Sequence, residues 1–148
     1  MEDAAAAIEL SVSLLERPSQ VMMVFTCGQL SSAILQMLKI ESTTNTRRWW
    51  KKVAGFMKSY AAVFPIGEPI YQYQRGHYEL IKQNKQGALK LWQQAQACAQ
   101  DLQMPHLTLA SLDAIVEYGG RPLTTSEEQA YSAALDDHGG DLAVGWVP

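Results

Sequence analysis

Apolar residues recur at helical spacing along most of the chain, and this pattern predicts an all-helical fold. The clearest amphipathic segment, 46–63, has an apolar stripe made of Trp49, Val53, Phe56, Met57, Tyr60 and Phe64. Breaks in the pattern at proline, glycine and capping residues predict seven helices: 3–16, 19–40, 46–63, 69–83, 87–103, 105–118 and 126–136. No stretch alternates with the period of a strand, and the predicted links are short. We therefore predict an all-α fold of antiparallel helical hairpins.

Residues at the predicted helix ends support these boundaries. Pro105 suits the first turn of the sixth helix, and Gly119-Gly120 is typical of its C-terminal end. Thr125 and Glu128 have the spacing of a capping box at the start of the seventh helix. We predict a single helical domain over residues 1–138 and a flexible glycine-rich tail over 139–148.

Composition excludes several classes of protein. The 148 residues are 47% apolar and 18% charged, which is typical of one globular domain and excludes a disordered chain. Two cysteines, Cys27 and Cys98, are too few for a disulfide scaffold and favour a reducing, cytoplasmic location. The N-terminus has no basic region of the kind that begins a secretory signal.

Residues 21–38 contain no charged side chain, so a membrane-attached helix is one interpretation of this segment. Five polar residues interrupt it, namely Thr26, Gln29, Ser31, Ser32 and Gln36. A helix covered on both sides in a helical stack is also apolar nearly all round. This second interpretation is the favoured one, and no membrane contact is expected.

A spacing of small and aromatic residues lies within 69–105. Ala88, Trp92 and Ala95 follow Gly76 by twelve, sixteen and nineteen residues. This segment resembles a tetratricopeptide (TPR) repeat, a pair of antiparallel helices with small residues at the close crossing. The resemblance implies that the four residues pack the hairpin and that the domain is a short TPR-like array.

A narrower resemblance covers about 50–118. It rests on the run 60–67 (YAAVFPIG), on Arg75-Gly76, on the segment 88–92 and on the segment 102–105. These are similar to C-terminal TPR-like repeats of multidomain proteins in which a nucleotide cyclase or protein kinase is joined to an AAA-type ATPase. The resemblance implies a protein-interaction or scaffold module in signalling, either a C-terminal part or a truncated relative of such a protein.

Charge is distributed unevenly along the chain. Residues 39–90 contain ten basic and three acidic side chains, whereas 91–148 contain one basic and eight acidic. Basic residues flank Trp49-Trp50, a pattern that can bind nucleic acid or anionic lipid, although a solvated basic face is favoured. An acidic protein partner, or the acidic part of a second copy in a homo-oligomer, is the third interpretation. The predicted partner-binding residues are Arg48, Lys52, Tyr71, Arg75 and Tyr78.

Catalytic and cofactor motifs are absent from the sequence. It contains no phosphate-binding loop, no dinucleotide-binding glycine motif, no His-Glu-x-x-His and no Cys-x-x-Cys. We predict no enzyme activity, cofactor or metal. His77 is predicted to be a half-buried packing residue, and the alternative is a base in a small enzyme or ligand-binding bundle. The acidic segment 136–141 with His138 is predicted to be a solvated helix end rather than a metal site.

Overall fold

The computed structural model describes residues 8, 12 and 23–137, and it confirms the all-α class. The described part contains six helices: α1 Met23–Ile40, α2 Thr44–Ala61, α3 Gly67–Ile81, α4 Lys85–Asp101, α5 Pro105–Gly119 and α6 Thr125–Asp137. Ile8 and Val12, from the predicted helix 3–16, are helical and buried. The rest of that helix and the predicted tail 139–148 lie outside the described residues.

Each helix packs against the next one in the chain, most extensively α3 with α4 and α4 with α5. Further contacts join α1 to α3 and, more weakly, α3 to α5. Short links of three to five residues force neighbouring helices to run antiparallel. The result is a stack of helical hairpins in which α3 lies near the middle.

Two buried clusters form the core, and α3 contacts both. The first cluster lies among α1, α2 and the segment of Ile8 and Val12, and it includes Trp49 and Trp50. The second lies among α3, α4, α5 and α6 around Trp92, which is completely buried. Burial of each large apolar side chain stabilises the fold by about 2–3 kcal/mol. The helix in the middle of the stack therefore stabilises both halves.

The uncharged segment 21–38 corresponds largely to α1. Its side chains at Cys27, Ile34 and Leu35 are almost fully buried by protein, as expected for a helix in a stack. None of the helices in the described part is long and apolar enough to cross a membrane.

In α2, which corresponds to the predicted helix 46–63, the burial of two aromatic residues differs from the predicted apolar stripe. Trp50 is 3% exposed and packs with the core, beside Trp49. Phe64 is 38% exposed because α2 ends at Ala61 and the chain turns before it reaches this residue. The basic residues of α2 are exposed, as the amphipathic pattern predicts.

Side-chain caps fix the beginnings of three helices. Thr43 accepts a hydrogen bond from the Thr46 backbone N–H at the start of α2, and Asn84 accepts one from Gly87 at the start of α4. The predicted capping box at the last helix is wrong by one residue. Thr124 and Glu127 form it, with Thr124 N–H donating to Glu127 Oε2 at 2.8 Å and Glu127 N–H donating to Thr124 Oγ1 at 3.3 Å.

Single residues with positive φ end three helices. Gln83 (φ 63°) follows α3 and Gln103 (φ 53°) follows α4, and Gly120 (φ 67°) ends α5. This left-handed conformation turns the chain sharply, so the next helix starts within a few residues. Only glycine adopts it without a steric cost, which is why Gly119-Gly120 is readable from the sequence and the two glutamines are not.

Candidate functional site

An open groove lies at one edge of the stack, where α1 ends, α2 begins and α3 ends. Its volume is about 630 Å³, and its lining residues are Leu38, Lys39, Ser42, Arg47, Tyr78, Ile81 and Lys82. Three of these are cationic and none is acidic. Because consecutive helices are antiparallel, these three helix ends necessarily meet at the same edge.

Arg47 is held at the groove by a local hydrogen bond. It stands in the first turn of α2, and its Nε–H donates to Ser42 Oγ at 2.9 Å. This bond uses one edge of the guanidinium group and leaves the fork of its two terminal nitrogens for other acceptors. By the helix dipole, the N-terminal end of α2 adds a partial positive charge to this region, and the C-terminal ends of α1 and α3 add partial negative charge.

Lys82 is also held in place, by one carboxylate and one ring. Its Nζ lies 2.9 Å from Glu79 Oε1 and 5.6 Å from the centroid of the Tyr78 ring. The hydrogen bond from Lys82, with a second one from Asn84, lowers the pKa of Glu79 below its ordinary value, so this carboxyl is ionised at neutral pH. The ring of Tyr78 stacks on Trp50 at 4.8 Å between centroids and is thereby fixed to the first core cluster.

The groove combines an apolar floor with a cationic rim. Leu38, Ile81 and the ring of Tyr78 supply apolar surface, and the charged groups lie beside them. The three cationic side chains and the carboxylate of Glu79, which pairs with Lys82, give the groove a formal charge of +2. A concave surface of one sign of charge attracts ligands of the opposite sign.

Of the five predicted partner-binding residues, Tyr78 is the one that lines the groove. Arg75 lies over the Tyr71 ring at 5.3 Å, and both of these residues are partly buried. Arg48 and Lys52 are exposed on α2, on the side of that helix away from its buried residues. Of these five residues, the structure therefore brings only Tyr78 into the groove.

Sequence reasoning missed Lys39, Arg47 and Lys82 as a group. Each is unremarkable by itself, since a basic residue near a helix end is a common feature. Their positions along the chain could have revealed them. In an antiparallel stack, the end of α1, the start of α2 and the end of α3 lie at the same edge. Basic residues occur at all three places.

The four residues of the TPR-like spacing pack the α3–α4 hairpin. Ala88, Trp92 and Ala95 are each 0% exposed. Gly76 lies directly beneath the indole of Trp92, and a Cβ at this position would come within 2.6 Å of Trp92 Cδ1. The indole N–H donates to the backbone oxygen of Tyr73 at 3.2 Å, which fixes the ring across the helix pair.

His77 is buried more deeply than the sequence predicts. It is 2% exposed and packs edge-on against the rings of Tyr73, Trp92 and Tyr118. Neither ring nitrogen has a hydrogen-bond partner among the described residues. Burial, and to a smaller degree the positive charge of Lys39, lowers the pKa of His77 to about 4. The ring is therefore neutral at physiological pH and fills space in the second core cluster.

Among the described residues, the remaining candidate groups include no metal-binding cluster and no ionised thiol. In the described residues, no three His, Cys, Asp or Glu side chains lie close enough to hold a metal ion. The acidic segment 136–141 lies mostly outside that part of the chain. Burial raises the pKa of Cys27 to about 11 and also raises that of Cys98, so both thiols are protonated at neutral pH.

Comparisons of the chain with family models, with curated proteins and with solved structures give no significant match.

Proposed function

We propose that this protein is a protein-interaction module whose groove binds a short acidic segment of a partner protein. The observation that carries the proposal is the convergence of Lys39, Arg47 and Lys82 on one concave surface without a lining carboxylate. Like charges that are brought together repel one another, and an anionic ligand removes this repulsion.

The apolar floor of the groove favours a ligand that has apolar as well as acidic side chains. A peptide that alternates acidic with apolar side chains would place its carboxylates on the cationic rim and its apolar groups on Leu38 and Ile81. A groove of about 630 Å³ has room for a few residues of such a segment.

A fluorescein-labelled peptide of alternating glutamate and leucine tests the proposal by fluorescence anisotropy. In the double variant Lys39→Glu, Arg47→Glu, we expect affinity to fall by about tenfold or more, because two attractive charges become repulsive. The affinity of the unmodified protein should also fall with added salt, since the rim is exposed to solvent.

The double variant Arg48→Glu, Lys52→Glu makes the same change of charge on the exposed side of α2 and is the matched control. Binding that survives in this variant and is lost in the groove variant supports the proposal. Absence of binding to the unmodified protein, or loss only in the Arg48 and Lys52 variant, would show that the groove is not the site.

The signalling role is a further part of the proposal and rests on the TPR-like resemblance of 50–118. In that setting, the module would act as a scaffold joined to a cyclase- or kinase-linked ATPase. Immunoblotting of the endogenous protein with an antibody to this chain tests it. A much larger species would support the hypothesis that this chain is the C-terminal part of a multidomain protein. A product of 16.4 kDa that co-precipitates such an ATPase would support the hypothesis of a truncated relative. A product of 16.4 kDa that co-precipitates no such ATPase would contradict the signalling role.

A further inference from the structure

We propose that the acidic segment bound by the groove carries a phosphorylated serine or threonine, and that Arg47 reads the phosphate. This inference rests on the proposed function, because it names the chemical form of the ligand at the same site. It is carried by the charge of the groove and by the way in which two of its cations are held.

The charge of the groove matches a dianion better than a single carboxylate. Three cationic side chains line it, and Glu79 offsets only Lys82, so the formal charge is +2. A phosphoserine or phosphothreonine carries a charge of about −1.5 to −2 at pH 7, whereas a glutamate carries one negative charge. A single phosphate therefore neutralises the groove.

The geometry at Arg47 favours the same group. Its Nε–H donates to Ser42 Oγ, which fixes the plane of the guanidinium before any ligand arrives. The two terminal nitrogens remain as a planar fork that matches two phosphate oxygens. Lys82 is held by Glu79 and over the Tyr78 ring, so a second cation is also ordered in advance. Less freedom is lost on binding when the cations are already in position.

The rest of the molecule favours a peptide over other sources of phosphate. The chain has a net charge of −3, and the segment from α5 to the end of α6 contains six acidic residues and one basic residue, Arg121 in the link. Nucleic acids and anionic membranes are extended polyanions, and the net negative charge of the whole chain opposes their approach. A peptide with one phosphate is small enough to contact only the groove, where three cationic side chains lie together.

Isothermal titration calorimetry with three peptides of one sequence tests the inference, with serine, glutamate or phosphoserine at the central position. We expect phosphoserine to bind about tenfold more tightly than glutamate, and glutamate more tightly than serine. The variant Arg47→Lys keeps the charge and removes the fork. It should weaken phosphoserine binding more than glutamate binding, so that the preference for phosphoserine falls to a few-fold.

The possible failures are distinguishable. If neither acidic peptide binds, the proposed function itself is wrong. If glutamate binds as tightly as phosphoserine, or if Arg47→Lys keeps the full preference, the phosphate inference is wrong and the acidic-peptide function stands. A single-stranded RNA oligonucleotide, or vesicles containing phosphatidylinositol phosphates, that bound more tightly than the phosphopeptide would also overturn it.

Discussion

Replacing Gly76 by alanine should destabilise this protein, although the same change in a helix is ordinarily favourable. Alanine in a helix interior is more stable than glycine by about 1 kcal/mol, because glycine loses more backbone freedom on folding. At position 76, however, a Cβ would lie 2.6 Å from Trp92 Cδ1 and 2.8 Å from Trp92 Cε2. Neither distance is sustainable, so the indole or α3 must move.

Movement is costly because Trp92 has no free space around it. The indole is 0% exposed, and its N–H donates to the backbone oxygen of Tyr73. Overpacking in a core costs about 1–3 kcal/mol, and leaving a buried donor unpaired costs about 1–3 kcal/mol more. With the gain in helix propensity subtracted, we expect Gly76→Ala to lower the free energy of unfolding by about 2 kcal/mol. For a chain of this size, the melting temperature should fall by about 5 °C.

Urea denaturation followed by circular dichroism measures the effect, and Gly55→Ala is the matched control. Gly55 is exposed in α2, and a Cβ there meets nothing within 4 Å, so this variant should be more stable by about 0.5–1 kcal/mol. In a Trp92→Phe background, where the ring lacks the indole nitrogen and the fused six-membered ring, Gly76→Ala should cost less than it does beside tryptophan. Equal stabilisation by the two alanines would refute the packing argument.

Three further variants test other parts of the structure. The Arg121 guanidinium and the Thr124 N–H hold the pKa of Glu127 at about 2, below its ordinary 4.5, so stability that is present above about pH 5 should be lost as the pH falls toward 2. Arg121→Ala should flatten that dependence in urea titrations at pH 7 and pH 3. The pKa of His77 is about 4, below its ordinary 6.5, so the unfolded chain binds a proton first and stability falls between about pH 7 and pH 4. His77→Phe should reduce this loss, and an unchanged pH profile would contradict the burial of a neutral ring. Asn84→Ala removes the cap of α4 and should cost about 1 kcal/mol, whereas Gln86→Ala in the same turn should change stability by less than about 0.5 kcal/mol.

The helices were predictable because their signals are local. Apolar periodicity and the prolines near the helix starts act within a few residues, and the structure has a helix at every predicted place that it describes. Boundaries were less predictable. Residues 84–86, which separate two predicted helices, are in fact the cap and the beginning of α4. The Asn84 side chain caps this helix by accepting a hydrogen bond from the Gly87 N–H, and composition alone does not reveal that contact.

The misplaced capping box shows why one register cannot be chosen from sequence alone. Thr124-Thr125 is followed by Glu127-Glu128, so two overlapping boxes have the same spacing. The choice is made by Arg121, whose terminal nitrogens donate to both oxygens of Glu127 at 2.6 and 2.7 Å. That contact depends on the path of the chain after Gly120, which periodicity does not describe.

The groove was missed for a related reason. Lys39, Arg47 and Lys82 come from the ends of three helices, and only the stacking of those helices brings them together. The predicted residues Arg48 and Lys52 were chosen for their charge beside Trp49 and Trp50. Those two tryptophans face the core, so the charges beside them lie on the outer side of α2.

The separation of charge along the stack has a consequence for the rate at which a partner arrives. Helix α2 carries five basic residues and no acidic one, and it lies at the opposite end of the stack from the acidic helices α5 and α6. The described part of the chain therefore has an electric dipole along the stack, although the net charge of the chain is only −3. An approaching acidic segment exerts a torque that turns the basic end toward it before contact. We expect added salt to slow association with such a partner while changing dissociation much less.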